Sequence, residues 1–171
     1  MSEKKIALIT GATSGIGEST SYELANQFSL IICGRNKDKL DELSNELSKK
    51  TNVKTLEFDG RHKEDVIEKI SSLCDDWKNI DILINNAGNA HGLDFIHEGK
   101  ISDWDMMIDT NVKGLLYVSK YVLDIMIENN RGHIVNIGSI AGKEVYPKGN
   151  IYCASKFAVD AISNGMRIDL N

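Results

Sequence analysis

A tyrosine and a lysine four residues apart, Tyr152 and Lys156, are the side chains of this sequence best suited to acid–base chemistry. Residues at this spacing lie on the same face of a helix. A tyrosine has a pKa of ~10 in water, and a nearby ammonium group favours its phenolate form. Ser139, which follows the apolar run 134–138, could donate a hydrogen bond to a carbonyl or alkoxide oxygen. The pattern therefore predicts an acid–base pair with a serine donor.

The same spacing also fits a purely structural role, because most tyrosine–lysine pairs on helices contribute only to packing. The sequence contains five tyrosines, and only Tyr152 has a lysine four residues later. Asn150 precedes the pair and is predicted to cap its helix. Whether the pair is chemical or structural depends on the elements that position it.

Composition narrows the class of protein. A length of 171 residues suits one domain, taken as 1–171, and the net charge of −5 argues against nucleic acid or an anionic membrane as a partner. No apolar run is long enough to span a membrane and no signal peptide precedes the first strand, so a cytoplasmic protein is expected. The three cysteines and four histidines lack ligand-like spacing, which predicts free thiols and no metal site.

A glycine-rich turn joins the first predicted strand, 6–9, to a helical pattern. Glycines in this context allow a backbone to approach a pyrophosphate at the positive end of a helix. The spacing G-x-x-x-G-x-G differs from the more common G-x-G-x-x-G, and an ordinary strand-to-helix turn is the alternative. The cofactor contacts expected here are Gly11, Thr13, Ser14, Gly15, Ile16 and Gly17.

Arg35 follows the second predicted strand, 30–33, at the point where NAD-binding proteins place a carboxylate on the ribose 2′-hydroxyl. A guanidinium at this point suits a 2′-phosphate, so the sequence favours NADP over NAD. The alternative is that Arg35 is a solvated surface arginine without a binding role.

Strand and helix patterns alternate five times without repeats or an obvious linker. This alternation predicts an α/β protein with a doubly wound parallel sheet and strand order 3-2-1-4-5. The segment 85–88 follows the fourth strand, and its small and amide residues allow close approach of a ligand. A long helix over 103–129, with a capping sequence that begins at Ser102, carries Asn111 near its buried face. A buried asparagine must be hydrogen-bonded, either as a polar core residue or as part of a site.

These motifs together resemble the short-chain dehydrogenase/reductase family, whose fold is of the Rossmann type. The resemblance rests on Thr10-Gly11-x-x-x-Gly15-x-Gly17, Asn85-Asn-Ala-Gly88, Asn111, Ser139 and Tyr152-x-x-x-Lys156. It implies an NAD(P)-dependent oxidoreductase that interconverts an alcohol and a carbonyl.

The resemblance also implies roles for individual residues. Tyr152 is the general acid/base, Ser139 orients the substrate oxygen, and Lys156 lowers the tyrosine pKa and binds the nicotinamide ribose. Asn111 helps to hold a water that relays the proton. The remaining implied cofactor contacts are Asp59 to the adenine and Asn86, Ala87 and Gly88 along the adenosine side and ribose, while Arg35 fits members that prefer NADP.

A narrower resemblance links the stretches 104–111, 135–142 and 146–159 to NADP-dependent 3-hydroxy acid dehydrogenases that oxidise serine and allo-threonine. Other functions stay open: a non-catalytic dinucleotide-binding redox sensor, or a carbonyl reductase acting on 3-oxoacyl, sugar or steroid substrates.

The sequence departs from the family pattern in its length, and the resemblance implies an oligomeric partner. Family members continue beyond the helix of Tyr152, so their C-terminal strands and substrate-covering lid are absent from this sequence. A partial chain and a degenerate relative both fit that departure. The family also implies a homodimer or homotetramer formed through the helices around 103–129 and 153–170.

Overall fold

A five-stranded parallel sheet forms the centre of the protein. The structure, a computed structural model, describes residues 4–170, so positions 1–3 and 171 of the predicted domain lie outside the described residues. The strands are β1 (Lys5–Thr10), β2 (Phe28–Gly34), β3 (Val53–Glu57), β4 (Ile80–Asn85) and β5 (His133–Asn136). Their order is β3-β2-β1-β4-β5 and all pairings are parallel, which confirms the predicted doubly wound sheet.

Helices follow the strands in alternation. They are α1 (Gly15–Leu24), α2 (Lys37–Leu47), α3 (Lys63–Ser71), α4 (Ile101–Ile108), α5 (Leu115–Glu128) and α6 (Asn150–Asp169). Short 3₁₀ helices lie at Asp75–Trp77 and Ile140–Gly142, and a π-helical turn at Asp109–Gly114 connects α4 to α5.

The central strands are buried on both faces because helices cover both sides of the sheet. In β1, residues 6–9 are at most 6% exposed, as expected for a continuous apolar run in a parallel sheet. One apolar cluster joins the sheet to α3 and α5, and a second joins it to α2 and to Ala25 after α1. This packing holds the carboxyl ends of all five strands along one edge.

The predicted long helix is divided in two. It begins at Ile101 with Lys100 as its N-cap, so the predicted cap at Ser102 is wrong by two residues. The Lys100 carbonyl accepts the first hydrogen bonds of the helix, from the backbone N–H groups of Asp103 and Trp104 at 3.0 and 3.2 Å. The π-helical turn then interrupts the α-helix around Asn111. Such turns are rare and frequently occur at functional sites.

The predicted cap of the last helix is also wrong. Gly149 is the N-cap of α6, and its carbonyl accepts from the backbone N–H of Cys153 at 2.7 Å. Asn150 is the first helical residue instead, and its Nδ2 donates to the carbonyl of Asp94 at 3.0 Å. Its side chain therefore ties the segment between β4 and α4 to α6, a tertiary role that local capping rules cannot predict. By contrast, Asn36 caps α2 as the helix rules suggest, accepting from the backbone of Lys39 at 3.0 Å.

Candidate active site

A cleft of about 490 Å³ lies along the carboxyl edge of the sheet. Open parallel sheets bind their ligands at this edge, outside the ends of the strands. The predicted site residues that line the cleft are Gly11, Thr13, Ser14, Ile16, Arg35, Asp59, Asn86, Ala87, Gly88, Tyr152 and Lys156. Gly15, Gly17, Asn111 and Ser139 do not line it, and each lies behind or beside a residue that does.

The glycine turn is locked against the loop that follows β4. Gly11 has a φ of +62°, and a Cβ at this position would lie 2.9 Å from the Cα of Ala87. Any larger residue would therefore push the two loops apart. At Gly17, a Cβ would collide with the Gly11 carbonyl and the Asn86 amide, so α1 packs directly beneath the turn.

Hydrogen bonds join the same two loops. The Nδ2 of Asn86 donates to the carbonyls of Thr10 and Gly11 at 3.0 and 3.1 Å. The Oγ1 of Thr10 accepts from the backbone N–H groups of Asn86 and Ala87, both at 3.0 Å. Thr10 was missing from the predicted site residues, although a hydroxyl between a strand and a glycine turn is a usable signal. These bonds leave the N-terminus of α1 facing the cleft, where Ser14 and Ile16 line it.

Charged side chains occupy the rim beside the ends of β2 and β3. The side chain of Arg35 is 62% exposed and its Nη1 lies 3.8 Å from the Oδ2 of Asp59. Asp59 is more deeply placed and forms several hydrogen bonds with Arg61. Burial alone would raise the pKa of Asp59, but hydrogen bonds and charge from Arg61, with the charge of Arg35, hold that pKa below its ordinary value. The carboxyl group is therefore ionised at neutral pH.

The side chain of Asn111 is buried and fully hydrogen-bonded. Its Oδ1 accepts from the backbone N–H of Asn89 at 2.8 Å. Its Nδ2 donates to the carbonyl of Asn89 at 2.8 Å and to the Oγ of Ser155 at 3.0 Å. Asn111 thus ties the loop after β4 to α6 through the π-helical turn.

Ser155 connects this bond network to the predicted acid–base pair. It is 0% exposed, and its Oγ donates to the carbonyl of Tyr152 at 2.7 Å while it accepts from Asn111. Ser155 and Asn89 were both missed as site residues. The usable signal for Ser155 is its place inside a helix, where a serine hydroxyl bonds the preceding turn. The backbone contacts of Asn89 leave no signal in the sequence.

Lys156 lies in the cleft as a nearly buried cation, 8% exposed. Its Nζ donates to the carbonyl of Ile137 at the end of β5, at 2.9 Å. Burial lowers the pKa of the ammonium group from its ordinary value. The ion pairs found among residues 4–170 do not include Lys156, so a main-chain carbonyl is its nearest polar partner there.

Tyr152 lines the cleft on the same face of α6 as Lys156. Ser139 directly follows Gly138, which also lines the cleft, and caps the 3₁₀ helix by accepting from the backbone N–H of Ala141 at 3.1 Å. Among the hydrogen bonds within residues 4–170, none joins the Tyr152 hydroxyl to Ser139 or Lys156. Tyr152 and Lys156 thus line the cleft, Ser139 follows a residue that lines it, and no direct hydrogen bond between their side chains is found in the described residues.

Across 4–170, no cluster of histidine, cysteine, aspartate or glutamate side chains could hold a metal ion. No helix in that range is long and apolar enough to cross a membrane. All three cysteines are free; Cys33 and Cys153 are buried and Cys74 is exposed.

The fold and the site define a class of protein. The short chain dehydrogenase family model matches residues 5–171, and the chain belongs to that family. This agrees with the motifs that carried the resemblance in the sequence.

Individual relatives are more specific. The chain is 44% identical over 167 residues to the NADP-dependent 3-hydroxy acid dehydrogenases YdfG of Escherichia coli strain K12 and of Salmonella typhi. Each alignment covers 97% of this chain and 66% of the relative, so the chain spans somewhat less than two-thirds of these relatives' length.

Solved structures give a consistent result. Serine dehydrogenase from Escherichia coli superposes with a TM-score of 0.92 at 44% identity, covering 96% of this chain and 76% of that one. A closed form of serine dehydrogenase complexed with NADP⁺ gives 0.91 at 44% identity, covering 97% and 66%. An NAD⁺-bound xylitol dehydrogenase gives 0.94 at only 30% identity, covering 98% and 65%. Similarity of fold therefore does not by itself separate the two cofactors.

Proposed function

We propose that this site interconverts an alcohol and a carbonyl with NADP as the hydride carrier, acting on a short 3-hydroxy acid such as serine or allo-threonine. The observation that carries the proposal is that one cleft is lined by the glycine turn, by Arg35 and by the Tyr152–Lys156 pair. The printed names of the 44%-identical relatives support the choice of cofactor and of substrate class.

The lining of the cleft fits an extended dinucleotide. The tight contact between Gly11 and Ala87 makes a cradle without side chains, and the N-terminus of α1 beside it suits a pyrophosphate. In this proposal Arg35 binds the 2′-phosphate and Asp59 contacts the adenine. Asn86, Ala87 and Gly88 lie along the adenosine side and ribose, and Lys156 takes the nicotinamide ribose. When bound, NADP supplies or accepts the hydride.

The protein's own residues move the proton. Tyr152 gives a proton to the substrate oxygen during reduction and takes it back during oxidation. The buried ammonium of Lys156 stabilises the phenolate, because an opposite charge in a poorly solvated place acts strongly. The hydroxyl of Ser139 donates to the same substrate oxygen and orients it.

The proposed contribution of Asn111 is to position the surrounding elements. Both polar atoms of its side chain are bound to Asn89 and Ser155, so a relay water at this residue would be held by its main chain or by the second lone pair of Oδ1. Its side chain meanwhile fixes the distance between the Gly88 loop and α6.

A cofactor and substrate panel tests the proposal. The purified chain is assayed by nicotinamide absorbance with NADP and with NAD, against serine, allo-threonine and 3-hydroxypropionate, and against 3-oxoacyl, sugar and steroid carbonyls. We expect turnover of at least one hydroxy acid, with NADP preferred.

Two other results would redirect the proposal. Tight NADPH binding without turnover of any compound would favour a redox sensor. Turnover restricted to 3-oxoacyl, sugar or steroid substrates would keep the chemistry and refute the substrate class.

We also propose a homodimer or homotetramer formed through α5 and α6. Leu116 and Ile127 on α5 are exposed, as are Phe157 and Ile168 on α6. Large apolar side chains on neighbouring helices are typical of a surface that a partner covers. Light scattering should therefore give at least twice the mass of one chain, and a monomeric mass would contradict this assignment.

A further inference from the structure

Asp59 is contacted by two arginines, and the two contacts are very unequal. Arg61 approaches with its Nε at 3.0 and 3.1 Å from the two carboxylate oxygens and its Nη2 at 2.6 Å from Oδ2. Its backbone N–H also donates to Oδ1, at 3.0 Å. Arg35 reaches the same carboxylate only at 3.8 Å. Arg61 therefore neutralises Asp59, and Arg35 is left with most of its charge uncompensated.

Arg61 bridges Asp59 and α4. Its Nη1 contacts the Sδ of Met106 on α4 at 2.9 Å, and its side chain is 26% exposed. Unlike Arg35 and Asp59, it does not line the cleft. Its contact with the lining of the cleft is therefore through Asp59.

The charges of Asp59 and Arg35 predict how removal of Arg61 would affect ligand binding. The carboxylate of Asp59 would be left with Arg35 as its remaining cation nearby. Arg35 would be drawn toward Asp59, and the uncompensated carboxylate would repel a second anion at the rim. A ligand with a 2′-phosphate would lose affinity, while one with a 2′-hydroxyl would be little affected.

We propose that Arg61 is a positioning residue for cofactor specificity: by neutralising Asp59 it keeps Arg35 available for the 2′-phosphate of NADP. The inference rests on the proposed function for the identity of the cofactor. A purely structural clamp between Arg61 and Asp59 would stabilise the segment after β3 and leave the preference between cofactors unchanged.

The test is the ratio of two dissociation constants, NADH over NADPH, measured by fluorescence titration of the purified chain. Arg61→Gln should weaken NADPH binding roughly three- to tenfold and NADH binding less than about twofold, as expected for a partly exposed charge. Adding Asp59→Asn should return the ratio to the wild-type value or above it, because the repelling carboxylate is gone. Arg61→Lys, which keeps the charge, should retain most of the preference.

Arg131→Gln is the matched control, because Arg131 also pairs with a partly buried carboxylate, that of Asp81, at 3.4 Å and away from the cleft. It makes the same change in net charge and should leave the ratio unchanged. An unchanged ratio in Arg61→Gln, or a ratio that Asp59→Asn fails to restore, would overturn the inference alone. A wild-type chain that binds neither dinucleotide would overturn the proposed function and this inference with it.

Discussion

The two ends of the cleft are held in place by different forces. At the end proposed to bind the adenosine, Arg35, Asp59 and Arg61 form a chain of full charges that is partly open to solvent. At the other end, Asn111 and Ser155 form a buried network of neutral hydrogen bonds beside α6. A single cation, Lys156, lies within that second end without a carboxylate partner in the described residues.

The difference separates selection of a ligand from positioning for chemistry. Partly exposed charges are worth little in stability and respond to salt, but they discriminate between ligands of different charge. Buried neutral hydrogen bonds add modest net stability, yet losing one partner leaves a polar group unsatisfied. Variants at the first end should therefore change which cofactor binds, and variants at the second should change turnover or stability.

The largest effect is expected for Lys156→Met. Turnover should fall about 10²- to 10⁴-fold, the range typical of lost acid–base assistance. The free energy of unfolding should meanwhile rise by about 1 kcal/mol at neutral pH, because the variant removes a buried ammonium with only a carbonyl partner. Turnover assays and chemical denaturation measure the two effects.

The pH dependence of that gain has a definite sign. The pKa of Lys156 is lower in the folded protein than its ordinary value of 10.5, so the unfolded chain binds more protons between the two values. The cost of burying the charge is fully present below the folded pKa and is relieved as pH rises toward 10.5. The advantage of Lys156→Met should therefore shrink at alkaline pH. Lys120→Met, which removes the lysine of an exposed ion pair on α5, is the control for turnover. A Lys156→Met variant that is much less stable than wild type would contradict the expected gain in stability.

A second effect compares two serines on α6 that have the same bonding pattern. Ser155 accepts from Asn111 and donates to the Tyr152 carbonyl, while Ser163 accepts from Asn136 at 2.9 Å and donates to the Val159 carbonyl at 2.7 Å. Ser155→Ala and Ser163→Ala should each cost about 1–3 kcal/mol of stability, since each deprives one N–H of an asparagine amide of its serine partner. Only Ser155→Ala should lower kcat, by roughly tenfold or more, because small displacements at a reacting centre are costly.

Parallel denaturation and kinetic measurements decide this pair. Equal losses of kcat in both variants would mean that general loosening of α6, and not the contact with Asn111, controls turnover.

The third effect is at the rim. Arg35→Gln should weaken NADPH binding by about tenfold with little change for NADH, and the loss should diminish as salt is added. Titrations at two ionic strengths measure it. Equal losses for both cofactors would show that Arg35 acts on a shared part of the dinucleotide.

The smallest effect concerns acid stability. Because the pKa of Asp59 is held below its ordinary value, the carboxylate stabilises the fold above that value and the contribution is lost as pH falls through the folded pKa. Asp59→Asn should therefore be less stable than wild type at neutral pH, by about 1 kcal/mol or less. The difference should disappear once the pH is below the folded pKa, and a difference that persisted there would assign the effect to packing.

The fold could be read from the sequence because its signals are local or periodic. Apolar runs predicted the five strands, and their alternation with helices predicted the confirmed strand order. The two wrong caps are those at Ser102 and Asn150. Capping rules weigh a residue against its immediate neighbours, whereas the Asn150 amide is engaged by the carbonyl of Asp94, 56 residues away.

The residues of the candidate site also divide into those that the sequence predicts and those that it does not. The motifs predicted eleven of the residues that line the cleft but not Thr10, and the roles of the predicted residues stay predictions until they are measured. Ser155 and Arg61 lie behind the lining, and Asn89 lines the cleft; all three were missed because their contacts join distant segments or side chains with no motif of their own. Arg61 shows the limit most clearly, since an arginine two residues after an aspartate looks like an ordinary surface residue.

The most direct test of the central claim is Tyr152→Phe, with Tyr22→Phe on α1 as the matched control outside the cleft. Both variants lose one hydroxyl, and NADPH binding and turnover of the best hydroxy acid are measured for each. We expect Tyr152→Phe to bind NADPH as wild type does while its turnover falls at least about 10²-fold, and Tyr22→Phe to match wild type in both. Undiminished turnover in Tyr152→Phe would contradict the assignment of this residue as the acid–base group.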